Sequence, residues 1–340
     1  MPSCFSTLPV EFIYRILDNL DEFTILYSTR NVCARLNSIT DTYHRYQTLE
    51  YLKLRDNNIS EQGAKYLADA LASNTTLTTL ILFDNELGDK GAQHIANALA
   101  INRTLMTLSL KRNHIEPEGV QYVANALSRN TALIRLALSA NNIGNDGAQH
   151  LANALANNTT LTKLIMVQNG IGNQGVQYIA NSLKNNTVTH DSVALTKLHL
   201  NHNNIGAEGA KHIANALINN TTLIKLDLSH NGIRSDGAQS IANALTSNRV
   251  LTVLNLSCND IRAEGARHLA DALIRNTTLT TLELSRNDIG LRGVQNLADA
   301  LIHNTQTLTM LNLKCNQIED QGAQIVANIA SKNTTLTLLS

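Results

Sequence analysis

The sequence carries no surplus of charge. Its 27 Lys and Arg balance 27 Asp and Glu, so no global positive field exists to attract a nucleic acid or an anionic membrane, and neither is expected as a partner. It lacks any run of about 18 uninterrupted apolar residues. Glu11, Asp18, Asp21 and Glu22 near its start are incompatible with the apolar core of a signal peptide. An intracellular protein is expected. Cysteine is scarce and scattered: Cys4, Cys33, Cys258 and Cys315 show neither the density of a disulfide framework nor the paired spacing of metal ligands. That pattern fits a reducing compartment, the cytoplasm or the nucleus. No Gly-rich phosphate loop, H-E-x-x-H, nucleophile elbow or active-site Cys motif is found, so neither catalysis nor a cofactor is expected. Tryptophan is absent, aromatics make up 4% and charged residues 16%, and Asn, Thr, Ala and Leu fill the space.

What is present is periodic. Aligned against itself, the chain repeats every 28 residues, almost without gaps, from Thr48 to Thr334, giving ten units. Each opens with a Leu-x-Leu pair, from Leu52/Leu54 and Leu80/Leu82 to Leu311/Leu313, with Leu164/Met166 the sole variant. Three residues after the pair stands an Asn in every unit: Asn57, Asn85, Asn113, Asn141, Asn169, Asn203, Asn231, Asn259, Asn287 and Asn316. A carboxamide both donates and accepts, so stacked Asn residues can satisfy backbone groups where a short strand turns away. A ladder is expected.

Further along each unit a Gly recurs, at Gly63, Gly91 and Gly119 through Gly322, followed by Ala or Val. The apolar spacing then changes: Ala64, Leu67, Ala68 and Leu71 form the stripe of an amphipathic helix of about three turns. The Gly serves either close packing of that helix or a backbone conformation costly to other residues. Each unit is therefore strand, turn, helix, turn. A single unit cannot bury both of its faces, and stacking supplies the missing neighbours. Helices are about 10 Å wide and strands lie under about 5 Å apart, which bends such a stack into a horseshoe with parallel strands on the concave side.

The pattern Leu-x-x-Leu-x-Leu-x-x-Asn-x-Ile/Leu with a helix in a 28-residue unit resembles the ribonuclease-inhibitor type of leucine-rich repeat. The resemblance implies an α/β leucine-rich-repeat horseshoe solenoid over residues 48–340, with ten repeats over 48–334 and a partial eleventh. It implies a binding surface and leaves its partner open.

Residues 1–47 lie outside the period. Leu8-Pro9-x-Glu11, then Phe12, Ile16, Leu20, Leu26 and Val32-Cys33, reads as three short helices, with Pro9 suited to a first turn and Glu11 to its positive end. The segment resembles an F-box, although Leu36 stands where that family usually has an aromatic. The resemblance implies a small all-α domain that docks to the linker subunit of an SCF-type cullin-RING ubiquitin ligase through Leu8, Pro9, Phe12, Ile16, Val32 and Leu36. A helical cap over the first repeat is the structural alternative. A non-catalytic inhibitor or scaffold of ribonuclease-inhibitor type, and a regulator resembling the Ran GTPase-activating proteins, are the alternatives in function.

Alternation turns Leu52 and Leu54 inward and sends Tyr51, Lys53 and Arg55, with Asp56 at the rim, to the concave side. Over ten units these positions hold ten basic residues and four acidic ones. The candidate substrate surface comprises Lys53, Arg55, Lys111, Arg135, Lys163, Lys197 and Lys225, with Ile81, Phe83, Ile165 and Val167 as apolar positions. It suits a protein with acidic and hydrophobic features. His202, His230 and Cys258 share one position of consecutive units, in file rather than converging, and no metal site is expected there. Asn74-Thr75-Thr76, Asn158-Thr159-Thr160 and Asn276-Thr277-Thr278 are sequons at one helix exit, which points to turn chemistry rather than glycosylation. Val188 to Val193 and Gln306 are insertions expected in loops.

Overall fold

The structure is a computed structural model that describes residues 49–185, 195–303, 307–332 and 336–339. The F-box-like segment 1–47, the insertion from Val188 to Val193 and Gln306 lie outside the described residues. The chain divides into two compact units, the first ending at Asn141 and the second beginning at Asn142.

In the first unit the order is β1 (Tyr51–Lys53), α1 (Glu61–Ser73), β2 (Thr79–Ile81), α2 (Gly88–Ile101), β3 (Thr107–Ser109), α3 (Pro117–Leu127) and β4 (Arg135–Ala137). The four strands are parallel and in register, with Leu52, Leu80, Leu108 and Leu136 side by side. The second unit continues with α4 (Gly144–Leu155), β5 (Lys163–Ile165), α5 (Asn173–Asn185), β6 (Lys197–His199), α6 (Gly206–Leu217), β7 (Lys225–Asp227) and α7 (Arg234–Leu245). It ends with β8 (Val253–Asn255), α8 (Arg262–Leu273), β9 (Thr281–Glu283), α9 (Gly290–His303), β10 (Met310–Asn312), α10 (Glu319–Lys332) and β11 (Thr337–Leu339). Strands β5 to β11 pair in parallel, each with the next. Each unit is thus a leucine-rich-repeat solenoid, a strand layer and a helix layer joined by an aliphatic core.

One repeat shows how the core is made. Leu223, Leu226 and Leu228 come from the strand side, Ile233 from the turn, and Ile241 and Leu245 from α7, none more than 1% exposed. Each such side chain stabilises the fold by roughly 1.5–3 kcal/mol on burial. The small Ala238, Ala242 and Ala244, also buried, let α7 approach its neighbours.

Two sets of carboxamides close the corners of the repeats among the described residues. After the strand, the Asn259 side-chain oxygen accepts from the N–H groups of Asn231 and Ile233 one repeat earlier, at 2.9 and 3.3 Å, while its nitrogen donates to the Leu228 carbonyl at 2.9 Å. Asn85, Asn203, Asn287 and Asn316 repeat this arrangement. Asn113 keeps the donor half, to Leu82, but its buried oxygen has no partner, because the N–H of Asn85 turns to the Arg112 carbonyl instead. After the helix, a second ladder appears. The Asn248 nitrogen donates to the Leu217 carbonyl at 2.7 Å, and its oxygen accepts from the N–H groups of Val250 and Leu251 at 3.0 and 2.8 Å. The sequon residue Asn276 does the same at 2% exposure, so the nitrogen a glycan would join is buried and already donating.

Helix starts are capped from the preceding repeat. The Asp89 Oδ1 accepts from the N–H groups of Glu116 and Gly119 at the start of α3, and Asn145 serves Gly172 and Gly175 at the start of α5, both at 2.9 Å. This proximity explains the recurrent Gly. A Cβ on Gly265 would lie 2.5 Å from Ile261 Cγ2, 3.1 Å from Ala238 Cβ and 3.3 Å from the Ser235 Cα, so close helix approach, rather than an unusual dihedral, demands it. The left-handed conformation falls elsewhere. The residue before each ladder Asn has positive φ in all ten repeats, and none of these residues is Gly. A second left-handed site follows the buried turn residue: it is Gly at Gly144, Gly206 and Gly290, but Arg234, Arg262 and Glu319 occupy it at φ 60°, 59° and 55°.

These two Gly roles give opposite mutational signs. Left-handed backbone costs a non-Gly residue roughly 1–2 kcal/mol, against about 0.5–1 kcal/mol for the chain freedom that Gly adds, so Arg262→Gly should raise stability by up to about 1 kcal/mol. Three residues on, Gly265→Ala should lower it by roughly 1–3 kcal/mol through overpacking. Urea unfolding of both variants checks the pair; equal signs would sink the assignment.

Candidate functional site

Side chains that are not used by the core or the ladders project from the strands. In the first unit, Tyr51 is 57% exposed, Lys53 and Arg55 are exposed, and Arg135 is exposed on β4, while Ile81, Phe83 and Lys111 are half-buried. The register is carried beyond β2 by Asp56 N–H to Phe83 O and Asp84 N–H to Lys111 O, at 3.1 and 2.9 Å. Arg55, Phe83 and Lys111 therefore stand in one row. The Arg55 guanidinium lies 4.5 Å and the Lys111 ammonium 4.8 Å from the Phe83 ring centroid, with Arg112 at 5.8 Å. The negative face of an aromatic ring attracts such cations. Asp84 sits 3.7 Å from Arg112. The basic and apolar positions that the sequence separates are here one cluster.

The second unit holds Lys163, Ile165, Val167, Lys197 and Lys225. Lys163 pairs in register with Lys197, and Lys197 with Lys225, so three ammonium-bearing residues occupy one position of β5, β6 and β7. Adjacent strands lie about 4.8 Å apart, and like charges directly opposite one another oppose pairing. His199, two residues along β6, is half-buried beside Asp227, with Nδ1 3.9 Å from the carboxylate. On the rim, the His202 and His230 rings stack at 3.8 Å and 15°, and parallel rings aim their nitrogens side by side rather than at one point. Cys258 continues that file as a free thiol whose pKa burial pushes up. Among the described residues no group of three or more His, Cys, Asp or Glu is placed to hold a metal ion. Likewise no described helix is long and apolar enough to cross a membrane. Leu8, Pro9, Phe12, Ile16, Val32 and Leu36 lie outside the described residues. The sequence counted Arg112 as charge without placing it against Phe83, and it weighed His199 only as a neighbour of the His202, His230 and Cys258 file; in both cases the information lies in contacts between repeats.

Parallel strands, a strand-side Leu core and an Asn at each strand exit define a leucine-rich-repeat protein. Residues 47–68 match the family described as Leucine Rich repeat. Residues 78–340, most of the chain, match the MHP1/HER1/GIP3 LRR domain, and the chain belongs to that family. A comparison with curated proteins finds no match. Among solved structures, the tropomodulin C-terminal domain of Caenorhabditis elegans is similar over 46% of this chain and 92% of its own, with 15% identity and a TM-score of 0.37.

The electrostatics of the second unit's strand face have a measurable consequence. Burial and then Lys163 hold the His199 pKa below its ordinary 6.5, Lys225 and Lys197 adding to the effect and Asp227 opposing it. His230 is shifted the same way, by burial first and then by His202. A histidine with a lowered folded pKa takes up its proton later than in the unfolded chain. Its contribution to stability is therefore intact above about pH 6.5 and is lost as the pH falls from there toward the folded value. Denaturant unfolding of wild type and His199→Gln between pH 8 and 5.5 should show the wild type losing more stability on the acid side; parallel curves would contradict the lysine field at this position.

Proposed function

We propose that the chain is a non-catalytic adaptor: the strand faces hold a protein partner, and residues 1–47 dock the assembly to the linker subunit of an SCF-type cullin-RING ubiquitin ligase. One observation carries the binding half. The recurrent Leu, Asn and Gly are consumed by packing and backbone hydrogen bonds, whereas the outward positions within the strands vary from repeat to repeat and stay exposed or half-exposed; just past the strand Arg55, Phe83 and Lys111 do so too, while Ser139, Ser229 and Ser257 are buried there. Membership of a leucine-rich-repeat family supports a protein-binding scaffold. The docking half rests on Leu8, Pro9, Phe12, Ile16, Val32 and Leu36 in the F-box-like pattern. Such an adaptor contributes proximity, raising the effective concentration of its cargo beside a catalytic subunit. The 28-residue period supports repeats of the ribonuclease-inhibitor type, and free thiols at Cys258 and Cys315 accord with a cytoplasmic or nuclear setting.

Co-expression of the full chain with the linker subunit tests the docking half. Wild type should co-purify with it in equal amounts, and Leu8→Ala with Pro9→Ala should lower recovery at least tenfold, about 1.4 kcal/mol. No complex with the wild type would remove the ligase and leave a scaffold.

A further inference from the structure

We propose that the Phe83 cluster of the first unit is the docking site for an acidic, extended segment of the partner polypeptide. The proposal rests on the reading of the strand face as a protein-binding surface and gives that surface a chemistry. Parallel register puts Arg55, Phe83 and Lys111 at one position of three consecutive repeats, and the half-buried ring is bracketed by a guanidinium at 4.5 Å and an ammonium at 4.8 Å. Arg112 joins them at 5.8 Å and carries the one ion pair in the group, to Asp84 at 3.7 Å. With Asp56, at the same rim position one repeat before Asp84, counted as well, three cations face two carboxylates, an excess of one positive charge. Neither Arg55 nor Lys111 has an ion-pair partner among the described residues.

Charge complementarity selects the occupant. A cation stacked on a ring keeps its N–H edges directed outward while its long stem is restrained, so two donors are positioned before a partner arrives. In an extended peptide, side chains at i and i+2 share a face about 7 Å apart, a spacing that lets two carboxylates address cations on either side of one ring while the intervening backbone crosses it. The ring supplies apolar contact as well as orientation. Tyr51, 57% exposed and set in register opposite Thr79, extends the aromatic contact at the edge of the same strand face.

The test uses the full chain and a fluorescein-labelled decapeptide of alternating glutamate and valine, read by fluorescence anisotropy at low salt, with the glutamine analogue as control. Wild type should bind the glutamate peptide and not the analogue. Arg55→Gln with Lys111→Gln should weaken binding at least tenfold. Phe83→Leu, which removes no charge, should still weaken it about fivefold, because the cations lose their platform. Lys65→Gln with Arg129→Gln, exposed cations of the first unit in and after its helices, should leave affinity within twofold. Circular dichroism melts confirm folding, and the surface double variant keeps the test open should Phe83→Leu misfold. Absence of wild-type binding, indifference to Arg55 and Lys111, or an equal loss with the Lys65/Arg129 variant overturns the proposal. So does tighter binding of a single-stranded oligonucleotide through the same residues. Retained co-purification with the linker subunit in the Arg55/Lys111 variant separates failure at this site from failure of the adaptor reading.

Discussion

Everything in this molecule depends on two carboxamides per repeat. A chain that reverses direction twice in 28 residues exposes backbone N–H and C=O groups at each corner, and a buried one left unpaired costs about 1–3 kcal/mol. Asn259 illustrates the strand-exit solution and Asn248 the helix-exit solution: each takes two N–H groups on its oxygen and returns its own N–H to a carbonyl of the preceding repeat. The donor bond reaches back 31 residues in both ladders, so the bond that closes a corner also clamps one repeat to the next. Both bonds persist where the repeat is longer: Asn203 and Asn220 reach back 37 residues, to Met166 and Leu183, so the ladders fix the corners rather than the number of residues between them. A Thr or Ser hydroxyl must donate and accept from one atom on a shorter arm, whereas the amide separates the two functions on different atoms, and Asp cannot donate when ionised, which is why the same side chain recurs.

With stacking handled by the ladders and the Leu core, stability becomes a sum over neighbours, and local costs are tolerated because no single repeat decides the whole. The left-handed residue before every ladder Asn is one such cost. Its occupants include Asp84, Arg112, Ala140, Gln168, His230 and Cys258, none of them β-branched. The conformation excludes Val, Ile and Thr while admitting charge, polarity and size otherwise freely. A structural constraint thereby shapes the alphabet of the rim, and the contacts made there, from the Arg112–Asp84 pair to the stacked His202 and His230, are drawn from what remains.

How much of this could be read from residues alone differs by level. The Leu-x-Leu pairs and the Asn ladder were legible because both are strictly periodic and each has one physical explanation. The helix-exit Asn were visible as repeated sequons, and turn chemistry was the right reading of them; that they form a second ladder between repeats was not visible, since the partner carbonyl lies 31 residues away. For the recurrent Gly, the sequence left close packing and special dihedrals both open, and the space around Gly265 decides for packing. The left-handed position before each ladder Asn escaped notice because no Gly marks it. At the strand face, composition announced a basic excess, but the gathering of Arg55, Lys111 and Arg112 around Phe83 depends on register between repeats, which no count along the chain contains.

The two strand faces also show how one repeat plan makes two different surfaces. Around Phe83 the cations are held by a ring and concentrate on one point. On β5 to β7 three lysines share one register position, and their field adds to burial, the larger cause, in depressing the proton affinity of His199. The first arrangement restrains its charges at fixed positions; the second leaves Lys197 and Lys225 exposed on long stems. Recognition that requires geometry favours the restrained set, because little side-chain freedom is left to lose on binding, whereas the lysine column acts at a distance and fades with salt. The difference traces to one position of the repeat: an aromatic between Arg55 and Lys111, where the second unit carries Val, Asn, Ser or Lys.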